Sequence, residues 1–145
     1  MKSEFSLSVQ YATEAGDIPK RTVFRKWVKA AVEMPCAITI RIVDLEEGLE
    51  LNRNFRGKDY ATNVLTFVYD DQEPLMGDIV ICAPVIEREA SEQEKSPEEH
   101  YAHMTVHGVL HLQGYDHEEE EEANKMEAME KCILEKLGYP DPYRV

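Results

Sequence analysis

Three histidines lie close together in the run HGVLHLQGYDH at residues 107–117. His107 and His111 are four residues apart, so on a helix both side chains would project from the same face. Gly114 can take the left-handed conformation that ends a helix, after which the chain can turn back to present His117. Three neutral imidazoles leave a fourth position open for water, as in catalytic zinc sites. The sequence therefore predicts a site for one divalent ion, zinc being the expected metal.

The spacing of these histidines leaves two other interpretations open. It matches the ligand spacing of metzincin zinc peptidases, but those enzymes place a glutamate, their general base, directly after the first histidine, and here that residue is Gly108. Glu118–Glu122 follow the run, and we expect them to complement the dipole at the start of a last helix. A peptidase or amidase is thus an alternative, as is a non-catalytic zinc that only joins two helices. The spacing of the histidines does not distinguish a zinc site from a nickel site.

Three more polar residues near the run have expected supporting roles. His100 and His103 lie up to two helical turns before the first ligand, and we expect them to support the ligands or the core rather than bind the ion. We expect Asp116 to cap the last helix, with orientation of an imidazole as the alternative.

The first half of the chain must build elements that hold such a site. Alternation of apolar and polar residues predicts a strand from Phe5 to Tyr11, and helical spacing predicts an amphipathic helix over 24–32 with a basic outer face. A second strand is predicted over Ile38–Ile42. Asp44 and Glu47 then have the spacing of a capping box, which predicts the start of a second helix.

The middle of the chain predicts a hairpin followed by helices. Asn63–Tyr69 and Gly77–Cys82 are rich in β-formers and would be joined by a seven-residue loop. From residue 83 the pattern is helical. Ser96 followed by proline and glutamates is a strong helix start, and this helix should run to Leu112.

A last helix completes the predicted fold. It is closed by Gly138, and its apolar stripe is Ala123, Met126, Met129, Ile133 and Leu137. The order of elements predicts an α/β (α+β) fold with a small mixed sheet of about four strands, covered by about five helices. The metal site would lie at the end of a C-terminal helix, and residues 1–145 would form one domain.

Composition narrows the class of protein. The 145 residues are 43% hydrophobic and 31% charged, which is typical of a globular chain. No apolar stretch of signal-peptide or membrane-span length occurs, so a cytoplasmic protein without membrane contact is expected. Cys36, Cys82 and Cys132 are odd in number and lie in apolar surroundings, which predicts buried free thiols.

Charge is distributed unevenly along the chain. The net charge of −13 argues against indiscriminate nucleic-acid binding, since phosphate contacts supply most of that affinity. Residues 20–58 nevertheless carry nine Lys or Arg against five Asp or Glu, whereas residues 87–145 carry six against sixteen. One end of the molecule is therefore expected to be basic and the other acidic.

Two motifs together carry a family resemblance. HGVLHLQGYDH, taken with LNRNFRGKDYATNVLTF at residues 51–67, closely resembles the YbeY family of bacterial endoribonucleases, and the likeness extends over nearly the whole chain. The resemblance implies a single-zinc ribonuclease acting on single-stranded RNA, in 3′-end maturation of small-subunit ribosomal RNA and in ribosome quality control. It implies the small ribosomal subunit and the GTPase Era as partners.

The resemblance also assigns residues. His107, His111 and His117 match the zinc ligands of the family, and Arg56 matches the arginine placed near the metal for activity. The chain departs from the second motif at three positions, none of which carries a catalytic group: Ala61, Thr66 and Val68.

The residues implied by the resemblance fit a phosphodiesterase mechanism. The planar guanidinium of Arg56 can grip two phosphate oxygens, and we expect it to stabilise charge on the phosphoryl group. Arg53, Lys58 and the basic face of residues 20–29 would extend a track for RNA phosphates. The nucleophile, either a water on the metal or the RNA 2′-hydroxyl, is left open.

Overall fold

The structure is a computed structural model in which residues 4–143 are described. The limits of the expected single domain, residues 1 and 145, lie outside that range. Four strands and five helices follow one another in the described range: β1 (Phe5–Ala12), α1 (Arg21–Ala31), β2 (Cys36–Val43), α2 (Leu45–Arg56), β3 (Val64–Asp70), β4 (Leu75–Cys82), α3 (Ala83–Glu92), α4 (Pro97–Leu112) and α5 (Glu120–Lys136).

The four strands form one mixed sheet in the order β1-β2-β4-β3. β1 and β2 are parallel, β2 and β4 are parallel, and β3 returns antiparallel to β4. The central strands are the most apolar, and the side chains of Ile38, Ile40 and Ile42 in β2 are all buried, as strands covered by helices require. The predicted mixed sheet with about five helices is confirmed.

Helix α4 runs through the centre of the molecule. It contacts α1, α3 and α5 as well as β3 and β4, and 11 of its 16 residues are buried. Its start is as predicted: the Ser96 hydroxyl accepts a hydrogen bond from the backbone N–H of Glu99 at 3.2 Å, and Pro97 occupies the first helical position. The sequence therefore fixes where the most buried helix begins.

An aromatic cluster docks α1 against α4. The ring of Phe24 meets the rings of Trp27 and Tyr101 edge-on, at centroid distances of 5.4 and 6.3 Å. All three side chains are at most 1% exposed. Such pairs add to the large apolar area that each ring buries, and they hold the two helices together.

Two predicted details of the elements are wrong. Asp44 is at the N-cap position of α2, but its carboxylate accepts hydrogen bonds from Thr13 and Glu14, and Glu47 pairs with Arg41 at 2.6 Å. No capping box forms, because these carboxylates are used in tertiary contacts.

The hairpin connection is shorter than the predicted seven residues and consists of residues 71–74. β4 starts earlier than expected because Leu75 is buried and pairs with Cys36 of the neighbouring parallel strand. Pairing with β2 therefore extends the strand beyond its own apolar pattern.

The three cysteines are free, as predicted, but only two of them are buried. Cys132 is exposed on α5, which corrects the expectation for that residue. None of the helices in residues 4–143 has the length and apolar character needed to cross a bilayer.

Candidate metal centre

The three histidines of the motif lie together at the end of α4. Ring centroids are 6.3 Å apart for His107 and His111, 5.4 Å for His107 and His117, and 6.0 Å for His111 and His117. The first two lie on α4, one turn apart. Gly114 has a φ of +105°, and this left-handed turn after the helix brings His117 back, as the sequence predicts.

Hydrogen bonds determine which ring nitrogens are available on two of the histidines. His111 Nδ1 lies 2.9 Å from the backbone oxygen of Tyr115, and His107 Nδ1 lies 3.1 Å from the Glu130 carboxylate. A carbonyl oxygen can only accept, so Nδ1 of His111 must donate, and an ionised carboxylate imposes the same on His107. In each neutral ring the lone pair is then on Nε2, which is free to bind a metal ion.

The donor set fits a divalent ion of the zinc type. Within residues 4–143, no group of three or more His, Cys, Asp or Glu side chains already has the arrangement that holds a metal. Three neutral imidazoles, two of them with Nδ1 already engaged, are nevertheless the ligands that zinc prefers.

Glu130 of α5 connects the ligands to the core. Its side chain is 1% exposed and accepts hydrogen bonds from His103 Nε2 at 2.6 Å, the Tyr143 hydroxyl at 2.7 Å and His107 Nδ1. Burial raises the pKa of Glu130, but the hydrogen bonds from the two histidines outweigh burial and lower it to about 2. The carboxylate is thus ionised and holds the ring of His107.

His103 is the buried partner in this network. Burial lowers its pKa, although Glu130 opposes the effect, so the ring is neutral and donates from Nε2. Burial and Glu130 both raise the pKa of Tyr143, which therefore keeps its proton and donates as well. His103 supports the site through Glu130.

Glu130 is not among the residues predicted for the site, although its position in the sequence carries a signal. Glu130 follows Met126 by four residues and precedes Ile133 by three, so it lies on the apolar stripe of α5. A carboxylate on a buried stripe needs hydrogen-bond donors, and buried carboxylates near histidines are candidates for ligand support.

His100 is buried and belongs to a second pair in the cleft, with a partly buried glutamate. Its Nε2 lies 2.7 Å from Glu89 of α3, and the Asn63 side chain donates to the same carboxylate oxygen at 3.0 Å. The hydrogen bond from His100, opposed by burial and aided by Asn63, lowers the pKa of Glu89. This pair ties α3, α4 and the start of β3 together.

A cleft of about 930 Å³ contains all three metal-site histidines. Arg56, at the end of α2, and Lys58, in the following loop, line the same cleft. Neither has a charged or hydrogen-bonding side-chain partner within residues 4–143. Arg53, expected to join them, instead pairs with Asp59 at 2.6 Å and does not line the cleft.

The basic face of α1 also lies away from the cleft. Arg21 donates to the backbone oxygen of Val9 and covers the ring of Tyr11, while Arg25 covers the ring of Phe5. The cleft lining includes no basic residue of the 20–29 segment. The predicted phosphate track is therefore reduced to Arg56 and Lys58, among the residues proposed for it.

Gly108 packs directly against the sheet. A Cβ atom at this position would lie 3.0 Å from Ile79 Cγ2 and 3.1 Å from Ile79 Cδ1. Such contacts are tighter than most Cβ contacts in proteins, so a glutamate here would require the Ile79 side chain to move. The geometry opposes the peptidase alternative.

The segment between the last two helices differs from expectation at one residue. Glu119 is the N-cap of α5, so the predicted cap at Asp116 is wrong; the Asp116 carboxylate accepts from the backbone N–H of His117 at 2.7 Å. Glu120–Glu122 form the first turn of α5, where glutamates complement the dipole as expected.

A family model and two relatives that match this chain carry the same name. Residues 9–138 match the family model described as Endoribonuclease YbeY. The "Endoribonuclease YbeY" of Nitrosomonas europaea is 61% identical over 142 residues, covering 98% of this chain and 87% of the relative. That of Thiobacillus denitrificans is 54% identical over 145 residues, covering 99% of both. The solution structure of TM1509 from Thermotoga maritima is similar in fold, with a TM-score of 0.57, 24% identity, and coverage of 96% of this chain and 99% of that one.

Proposed function

The chain belongs to the YbeY family of endoribonucleases, and from this premise we propose that it is a zinc-dependent enzyme that cleaves single-stranded RNA in the cleft beside its three histidines. An endoribonuclease hydrolyses RNA, so RNA is its substrate. Maturation of the 3′ end of small-subunit ribosomal RNA, in the cytoplasm, is the biological role that we propose.

The observation that carries the proposal is the orientation of the histidines. His107 and His111 each have Nδ1 engaged by an acceptor, which leaves Nε2 for a metal ion, and His117 lies within 6.0 Å of both rings, measured between centroids. When bound, a zinc ion supplies positive charge for a phosphoryl oxygen and lowers the pKa of a water. Hydrogen bonds to Glu130 and to the backbone oxygen of Tyr115 orient the rings of His107 and His111.

Arg56 and Lys58 supply the protein's own charge for the phosphodiester. Their side chains line the cleft without a carboxylate partner within the described residues, so both cations are available to an anion. The guanidinium of Arg56 can donate two parallel hydrogen bonds to phosphate oxygens, a geometry that lysine does not reproduce. We assign Arg56 the stabilisation of charge as the phosphodiester breaks.

The net negative charge of the protein indicates that it needs a partner to bind RNA well. At a net charge of −13, most of the molecular surface repels RNA, and two free cations in the cleft provide little sequence-independent affinity. A partner that also binds the RNA would supply the missing affinity by raising its local concentration. The small ribosomal subunit and the GTPase Era are the partners that we propose.

The test combines metal content with RNA cleavage on matched preparations of wild type, His111→Ala, Arg56→Ala and Arg53→Ala. We expect about one zinc per wild-type chain, with the His111→Ala protein losing metal and cleavage together. Arg56→Ala should keep the metal and lose about 100-fold or more in kcat, since it removes a charge-stabilising donor. Arg53→Ala is the control, because its guanidinium is paired outside the cleft.

Either of two results would contradict the proposal. One is a wild-type protein that cleaves RNA equally well after its metal has been removed. The other is a metal-loaded wild type that cleaves neither free ribosomal RNA fragments nor RNA within small-subunit particles, which would favour a structural metal.

A further inference from the structure

Tyr60 presents an aromatic ring to the cleft without a partner in the protein. All seven tyrosines lie within the described residues, and five use their hydroxyl groups in hydrogen bonds: Tyr11, Tyr69, Tyr115, Tyr139 and Tyr143. A sixth, Tyr101, is buried in the core. Tyr60 is 58% exposed, lines the cleft, and has no side-chain partner within residues 4–143.

The backbone that carries this ring is held in place. The Asn52 side chain, only 1% exposed, donates to the backbone oxygen of Tyr60 at 2.6 Å. At the start of the loop, Gly57 has a φ of +69° and its backbone N–H donates to the backbone oxygen of Arg53. The backbone N–H of Lys58 donates to the backbone oxygen of Asn52. A buried amide therefore fixes the backbone that carries the exposed ring, which lowers the entropic cost of binding at this loop.

The residues around the ring point to its ligand. Arg56 and Lys58 precede Tyr60 in the same loop region and line the same cleft, and both lack carboxylate partners among the described residues. Exposed aromatic rings beside cations that track a backbone are the usual means of binding single-stranded nucleic acid, because every base has a face for stacking. An apolar protein ligand would not require the two cations.

We propose that the Tyr60 ring is a stacking platform for one nucleobase of single-stranded RNA, adjacent to phosphates held by Arg56 and Lys58. This inference rests on the proposed function and adds a substrate contact to it. A base must be unpaired to lie flat on the ring, so the contact selects against duplex RNA. Because stacking tolerates every base, it confers a preference for single strands rather than for a sequence.

The first experiment compares four metal-loaded proteins: wild type, Tyr60→Ala, Tyr60→Phe and Tyr69→Ala. Tyr69 is a matched control, being 67% exposed on β3 but outside the cleft lining. Affinity for a labelled single-stranded RNA is read by fluorescence anisotropy before product forms, and kcat and KM are then measured separately. We expect Tyr60→Ala to weaken binding and raise KM by about 5- to 100-fold. Tyr60→Phe, which keeps the ring, and Tyr69→Ala should stay within about 2-fold of wild type.

The second experiment identifies the contact by an abasic scan. A single abasic nucleotide is moved along the RNA, and wild type should lose affinity at one position where the base stacks. In Tyr60→Ala the same abasic nucleotide should cost nothing further, since the two changes remove one interaction. Equal abasic penalties in both proteins, or equal affinities of Tyr60→Ala and Tyr69→Ala, would overturn the proposal.

The two proposals fail separately. Cleavage by wild type together with no effect of Tyr60→Ala refutes the stacking platform and leaves the reaction standing. Binding that depends on Tyr60 without cleavage by wild type supports the platform and refutes the reaction. Metal content measured on every variant verifies that Tyr60→Ala has not disturbed the histidines.

Discussion

Replacement of Glu130 by glutamine tests whether the carboxylate positions a metal ligand. One carboxylate oxygen of Glu130 accepts from two donors, His103 and Tyr143, and the other accepts from His107. A glutamine has one carbonyl oxygen and one amide NH₂, so the carbonyl should keep the two donors and the NH₂ should face His107. The amide would then donate to His107 Nδ1 and move the ring proton to Nε2, where the metal must bind.

The expected changes in stability and in zinc affinity follow from this exchange of carboxylate for amide. All three hydrogen bonds can form, but they now involve a neutral amide in place of a buried carboxylate and are roughly half as strong, which should lower the free energy of unfolding of the metal-free protein by about 1 to 3 kcal/mol. Loss of a partner that orients a ligating imidazole typically weakens metal affinity by about 10- to 100-fold. Glu130→Gln should therefore fold, and bind zinc more weakly by that factor.

The assay is zinc affinity by chelator competition, alongside urea denaturation of the metal-free proteins. Glu135→Gln is the control, since it makes the same chemical change at an exposed position of α5. Nitrogen NMR of the histidine rings reports the tautomer of His107 directly. Equal zinc affinities for Glu130→Gln and Glu135→Gln would refute the reasoning, even if the first variant were less stable.

Two other predictions concern stability. Because the pKa of Glu89 is lowered in the fold, its carboxylate stabilises the protein above its ordinary pKa of 4.5, and that contribution disappears as pH falls through the lowered value. Glu89→Gln should therefore lower the free energy of unfolding by about 1 kcal/mol at pH 7 and by progressively less below pH 4.5. Urea denaturation across pH measures this difference, and a difference that stays constant with pH would contradict the assignment. Gly108→Glu should lower the free energy of unfolding by about 3 kcal/mol or more through overlap with Ile79 and burial of a charge, without peptide hydrolysis; a stable variant that hydrolyses peptides would revive the peptidase interpretation.

Local signals made much of the fold predictable. The start of α4 depends on Ser96 and Pro97, which act within one turn, and the order of strands and helices along the chain was enough to predict a small mixed sheet covered by helices. The grouping of the three histidines was predictable for the same reason, because helical spacing and one glycine turn involve only eleven residues of chain.

The predictions were wrong where contacts between residues far apart in the sequence determine the structure. Asp44 bonds to Thr13, thirty-one positions away, instead of capping its helix. The partner of Arg53 depends on the loop that brings Asp59 close, and the support from Glu130 depends on how α5 packs against α4. Sequence spacing describes a single element, whereas these contacts are made between elements.

The burial of α4 has a consequence for how the site opens. Amide groups in a central, largely buried helix exchange with solvent only when much of the fold opens, whereas those of an exposed connection exchange through local opening. We therefore expect the amide hydrogens of His107 and His111 to exchange late and that of the exposed His117 earlier. Two of the metal-site histidines thus share the stability of the core, and the third has the stability of the connection between α4 and α5.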